Sequence, residues 1–230
     1  MGFSAPGETC PLNDAREFFI SAPAAEKRDA WAAQTQAYML GSHITTIAHA
    51  LALLDFAEQQ TQAAIRTQAI PHPMFGSWRI FAGTTIIVAV EDFYRSLTAM
   101  RSLLQRCKTL WRRVDYARLE EARSQFEQLY PQHLDLRNAA CHQVDYSAKP
   151  HNQESNSAAG PFEVGSGFVA TGEGANMYTA NMSDRTIFYS GGGSLLKLDL
   201  TPAIMSNLER ISASAFSSLG TRKTDQTRGE

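Results

Sequence analysis

The sequence predicts a mainly α-helical protein: an antiparallel helical bundle, then a small antiparallel β-sheet or hairpin unit, then a C-terminal helix. Three observations carry this expectation. From Asp29 to about residue 130 apolar side chains recur at spacings of three and four, the rhythm of a buried helix face. Beyond residue 160 the chain changes to short β-prone runs parted by turn residues. Between the two, "SAKPHNQESNSAAG" at 147–160 has no large apolar residue and reads as an exposed linker.

Residues 1–28 mix Pro, Gly and Ala around one apolar patch, Phe18, Phe19 and Ile20, and read as a flexible arm that docks through those three side chains. Residues 29–146 form the expected bundle. Its first helix runs from Asp29 to about Gln68 on the stripe Leu40, Ile44, Ile47, Leu51 and Leu54, with a break near Gly41. "IPHPMFG" ends that helix, because the residue before each proline is pushed out of the helical region. A second helix follows on Ile86, Val90, Phe93, Leu97, Met100 and Leu104, and the short connection makes the pair antiparallel. A third covers about Tyr116 to Tyr130 on Leu119, Ala122, Phe126 and Leu129 and stops at Pro131. "LDLRNAACHQVDY" resumes as a short fourth.

The β-unit is expected over 161–220, from "FEVGSGFVA", "NMYTANM", "TIFYS" and "SLLKLDL". "GGG" between the last two supplies a hairpin turn where positive φ is needed. "TPAIMSNLERISASAF" closes this unit as a helix, with Thr201 at the N-cap and Pro202 at the first helical position. Residues 221–230 are polar and read as a disordered tail.

Composition narrows the function classes. With 43% hydrophobic and 19% charged residues the chain can bury a core, and a net charge of -2 gives no global attraction for nucleic acid, so any basic binding surface is local. Cys10, Cys107 and Cys141 are odd in number and widely spaced, which fits neither a disulfide framework nor a Cys-rich zinc site. With no signal-like start and no uninterrupted apolar run near the roughly 18 residues of a membrane span, the expected location is the cytoplasm, away from membranes. His43 and His49 are six apart, on different helix faces, and nothing completes a ligand set. Neither a metal nor another cofactor is expected.

The stretch "LRNAACHQ" at 136–143 concentrates chemistry. On a helix Asn138 and His142 project from nearly the same side, and Arg137 flanks them with a long stem. A guanidinium offers fixed, charged donors to phosphate oxygens, an imidazole exchanges a proton near neutral pH, and an amide orients either. Those parts suit metal-free RNA cleavage, in which the 2′-hydroxyl attacks its own phosphodiester. From spacing alone a plainer alternative stands: Arg137 pairs with Asp135 or Asp145, and His142 caps a helix end.

"RNAACH" resembles the R-x4-6-H motif of the HEPN family (higher eukaryotes and prokaryotes nucleotide-binding domains), in which a polar residue commonly follows the arginine. The resemblance covers roughly residues 29–146, and the motif falls near the start of the last bundle helix, as in that all-helical family. It implies a metal-independent endoribonuclease of toxin or defence type whose cleft forms between two copies, so the implied partners are a second copy of the chain, RNA, and an antitoxin or other protein. Arg137 would stabilise the transition state, Asn138 would orient, and His142 would transfer a proton. The chain departs from members with a tyrosine two residues past the histidine, since Val144 stands there. The longer run "FEQLYPQHLDLRNAACHQVDY" is also similar to bacterial HEPN-like proteins of unassigned function, so a non-catalytic module binding RNA, a nucleotide or a protein is the alternative.

Two further groups are candidates. Glu91 and Asp92 interrupt the second helix and point about 100° apart, so at most one faces inward to support Arg137 or His142. Arg95, Arg101, Arg106, Lys108, Arg112 and Arg113 occur with no carboxylate among them. Arg106, Lys108, Arg112 and Arg113 in particular could follow a phosphate backbone, or they pair with acids such as Glu120, Glu121 and Glu127. Cys141 beside His142 reads as a small packing residue.

Overall fold

A computed structural model describes residues 11–142, 151, 162–164, 168–170 and 181–220. The expected linker, apart from His151, the expected tail and the first ten residues of the expected arm lie outside the described residues, as do Val144 and Asp145. Helices dominate. In chain order they are α1 (Pro11–Ile20), a 3-10 turn (Ala24–Glu26), α2 (Lys27–Arg66), α3 (Pro73–Arg106), α4 (Lys108–Trp111), α5 (Tyr116–Leu129) and α6 (His133–Cys141). Strands β1 (Phe162–Val164), β2 (Phe168–Ala170), β3 (Asn181–Ser183), β4 (Thr186–Gly191) and β5 (Ser194–Asp199) follow, and α7 (Ala203–Ser217) comes last.

The chain divides into two compact units, each assembled from separated segments. One gathers the described residues up to His43, Phe93–Pro131 and those from Ser206 on; the other gathers Ile44–Asp92 and those from Gln132 to Met205. The expected segments 29–146 and 161–220 each contribute to both.

In the first unit the starting part of α2 and the final part of α3 run antiparallel. Asp29 approaches Arg106 at 4.0 Å while His43 Nε2 lies 3.2 Å from Ser96 Oγ, so partner numbers fall as residue numbers rise. Phe93, Leu97, Met100 and Leu104 from the predicted stripe are all buried. Helix α5 lies antiparallel to α3 in the same way: Tyr94 Oη donates to Glu127 Oε1 at 2.5 Å, and Arg101, farther along, pairs with Glu120 and donates to Tyr116 Oη at 3.0 Å. Burial, and next the Glu127 carboxylate, push the Tyr94 phenol above its ordinary pKa. Phe126 sits among Phe93, Tyr94 and Tyr130, with ring centroids 5.9, 5.0 and 5.1 Å away. Asp115 caps α5 by accepting from the Arg118 N–H at 3.2 Å, and its own N–H donates to Ser218 O at 2.8 Å beside a Val114–Leu219 bridge that ties in the end of α7.

Several expectations for this unit need correction. Residues 11–20, read as part of a loose arm, form α1, whose Phe18 and Phe19 are buried while Ile20 is exposed. Two of the three docking residues are therefore inside. The break near Gly41 does not occur, since one helical glycine costs about 1 kcal/mol and the 40-residue α2 absorbs it. Leu129 is 40% exposed because α5 ends there, past the turn that Phe126 buries.

In the second unit the later part of α2 meets the earlier part of α3 through Glu58–Arg79 at 3.9 Å and a Phe56–Trp78 ring contact at 5.9 Å. Strands β1 and β2 pair antiparallel, and β3, β4 and β5 form a three-stranded antiparallel sheet in that order. The β4–β5 turn has Gly192 and Gly193 at φ +56 and +76, the two positive values that a type I′ hairpin requires, as "GGG" predicts. Alternate residues of β4 face α3: Ile187 Cδ1 closes on Gly83, and Tyr189 Oη lies 2.9 Å from Thr84 Oγ1. Helix α6 contacts β4 and β5. The β3–β4 turn is fastened to the helix pair, because Arg185 meets Asp55 at 2.8 Å and Arg79 donates to Asp184 O at 2.6 Å.

By length and composition, Ala24–Arg66 and Pro73–Arg106 are each apolar enough to cross a membrane, with an 18-residue window of mean hydropathy 1.3. Core helices of soluble proteins meet the same criterion.

Candidate functional site

Helix α6 carries the arginine–histidine motif in the second unit. Pro131 ends the preceding segment, Gln132 occupies the N-cap, and Asp135 places a carboxylate in the first turn, where the helix dipole favours it. Leu136 and Ala139 are the buried face that seats this short helix. They fix what the polar residues can do. Arg137 and Asn138 are half-buried, and Cys141 and His142 are exposed. His142 is the C-cap, at φ -111 and ψ 23, and its N–H donates to Asn138 O at 2.9 Å. That position matches one half of the plainer alternative.

The other half does not hold among the described residues. No carboxylate there pairs with Arg137, and Asp135, although two residues away, does not reach it; Asp145 lies outside the described residues. Arg137 Nη1 donates to Asn138 Oδ1 at a long 3.4 Å, and Arg137 Nε is buried with no hydrogen-bond partner. A guanidinium with an orphaned donor and no counter-charge is costly to keep half-buried unless an anion completes it.

Of the adjacent acids, Glu91 is the inward one, 3% exposed, while Asp92 is half-buried. Glu91 Oε2 forms a hydrogen bond with His133 Nδ1, at the opposite end of α6 from His142. The His133 side chain is 13% exposed and that of Glu91 4%. Sequence reading passed over His133, although its spacing of four before Arg137 places the two on one helix face, the same rule that linked Asn138 with His142.

The basic run belongs to the first unit and the motif to the second. Much of it has partners already. Arg101 pairs with Glu120, Arg106 approaches Asp29 at 4.0 Å, and Arg113 donates to Ser21 Oγ at 2.6 Å with its guanidinium 5.1 Å from the Phe18 ring centroid. Arg106, Lys108, Arg112 and Arg113 nevertheless remain exposed. Glu26 meets the same region by accepting from Thr109 N–H at 2.9 Å and from Thr109 Oγ1 at 3.0 Å, and the first of these bonds holds its carboxyl below the ordinary range.

A second polar cluster, Glu58, Thr61, Gln62, Arg79, Asp184 and Arg185, lines an open cleft of about 390 Å³ in the second unit. Its arginines are engaged by Asp55 and Glu58, which suits a fastening for the hairpin better than a ligand site.

No family model, no curated protein and no solved structure matches the chain.

Proposed function

We propose that this chain is a HEPN-like, metal-independent endoribonuclease of toxin or defence type that works at a cleft between two copies. One observation carries the reading: Arg137, in the motif, holds a half-buried guanidinium with an unsatisfied donor and no carboxylate partner among the described residues. A phosphodiester supplies the missing anion. Arg137 stabilises the charge that grows on the nonbridging oxygens as the 2′-hydroxyl attacks, Asn138 steadies the guanidinium, and His142 transfers a proton. His142 lies exposed at the end of α6, where a second copy can approach it.

The test is cleavage of end-labelled RNA in the presence of a chelator. The expected products carry 2′,3′-cyclic phosphate and 5′-hydroxyl ends, and Arg137→Ala lowers the rate by roughly 10²–10³-fold, the usual loss for a transition-state charge donor. His142→Ala lowers it by roughly 10²–10⁴-fold. Unchanged cleavage in both variants refutes the reading.

The exposed cations Arg106, Lys108, Arg112 and Arg113 favour the second reading, a module that binds RNA without cutting it. It predicts salt-sensitive RNA binding that weakens on their replacement, with no cleavage by the wild type.

A further inference from the structure

We infer that His133 is a catalytic residue of the same site, the base that takes the 2′-hydroxyl proton, and that Glu91 is its positioning residue. The inference rests on the ribonuclease reading and assigns its base.

The argument begins with the bond between them. A carboxylate oxygen only accepts, so Glu91 Oε2 takes the hydrogen of His133 Nδ1 and leaves Nε2 as the proton-accepting atom of the neutral ring. Such a pairing fixes both tautomer and ring orientation, the role a carboxylate plays behind a catalytic imidazole. Burying the Glu91 carboxylate at 3% exposure is expensive, and an apolar pair would fasten α6 to α3 at least as well. Holding the helix down does not by itself call for this pair. The His133 side chain keeps 13% of its surface, so the ring is sheltered without being sealed.

Placement on α6 supplies the second step. At about 100° and 1.5 Å per residue, Arg137 stands about 40° around the helix from His133 and about 6 Å along it, whereas His142 stands about 140° from Arg137. The cation therefore shares its face with His133 rather than with His142. A phosphate drawn to Arg137 has the Glu91-backed imidazole beside it in the same chain, and His142 serves it best from a second copy, which gives the two-copy cleft a division of labour. The 2′-oxygen bonds to phosphorus as its proton passes to His133 Nε2. The bond from phosphorus to the 5′-oxygen breaks, and that oxygen takes a proton from the second copy's imidazolium. Solvent then restores both rings, and no oxidant or reductant is involved.

The experiment compares His133→Asn with Arg137→Ala and the wild type in the RNA-cleavage assay, alongside thermal melts. Asparagine keeps a donor near the Nδ1 position but cannot accept the proton, so His133→Asn is expected to melt like the wild type and to cut at least 100-fold more slowly, mainly through kcat. Long-range ¹H–¹⁵N spectra of the intact wild type give a readout that needs no variant at His133. They should show His133 as the Nδ1–H tautomer, lose that tautomer's dominance in Glu91→Gln, and move its Nε2 signal when an uncleavable 2′-O-methyl RNA oligonucleotide is added. If the wild type and His133→Asn cut alike while Arg137→Ala is inactive, the assignment of His133 is overturned and the ribonuclease reading stands. An oligonucleotide that shifts His142 and leaves His133 unmoved has the same meaning. Wild-type protein that leaves RNA intact overturns both.

Discussion

Replacing Gly83 by alanine tests how the sheet of the second unit rests on α3. A Cβ at that position would stand 2.6 Å from Ile187 Cδ1, 3.0 Å from Met182 Cε and 3.2 Å from Leu200 Cδ1. Carbon atoms in ordinary contact keep about 3.5–4.0 Å, so the nearest must retreat by about 1 Å. Ile187 and Leu200 are fully buried, which leaves that retreat little room. Overpacking of this kind costs roughly 1–3 kcal/mol, while alanine in place of glycine returns about 1 kcal/mol of helix propensity, for a net loss of about 0–2 kcal/mol. Gly41 is the control, because a Cβ there meets nothing within 4 Å and the substitution should stabilise by about 0.5–1 kcal/mol. Urea unfolding read by circular dichroism gives both values, and for a chain of this size each kcal/mol corresponds to about 2–4 °C in Tm. Gly83→Val, bulkier and poorer in helix propensity, should lose at least about 2 kcal/mol. If Gly83→Ala stabilises as much as Gly41→Ala, the close approach of β4 to α3 is wrong.

Other substitutions probe the first unit. Phe126→Ala removes the ring at the centre of the Phe93, Tyr94 and Tyr130 cluster and should cost about 3–5 kcal/mol in urea unfolding; a loss below about 1 kcal/mol would contradict its burial. The Thr109 N–H lowers the folded-state pKa of Glu26, so the stabilising contribution is present above the ordinary carboxylate value and disappears as pH falls through the lowered one. Glu26→Gln should therefore lower Tm at neutral pH, and its gap from the wild type should close in acid; a gap independent of pH argues against the bond. Burial, ahead of the charges of Glu26 and Asp29, raises the Cys107 thiol, whereas Cys141 is exposed. A thiol reagent should label Cys141 rapidly and Cys107 only on unfolding, as peptide mapping can determine.

Much of the fold was legible because the signal is local and repeated. All six residues of the α3 stripe are buried, and on α2 Leu40, Ile47, Leu51 and Leu54 are buried too, since a period near 3.6 repeated over many turns leaves few other ways to hide that face. The hairpin at Gly192–Gly193 was legible for a different reason: only a narrow set of residues accepts positive φ at both positions. Signals at element ends were weaker. Leu129 continued the pattern past the point where its helix stops, and Gly41 suggested a break that neighbouring turns override.

For the candidate site, sequence by itself determined the residue types and their angular order on α6, because helix geometry alone places Arg137 near His133 and turns His142 toward the other side. It also determined that Glu91 and Asp92 cannot both face inward. Tertiary structure alone decided which of them does, that it bonds His133 across 42 residues of chain, and that no carboxylate among the described residues neutralises Arg137. It likewise decided that Arg101, Arg106 and Arg113 have partners in the first unit. The physical reason is range: periodicity reports what one helix turns toward its neighbours, whereas the identity of the group that meets it is fixed only when distant segments pack.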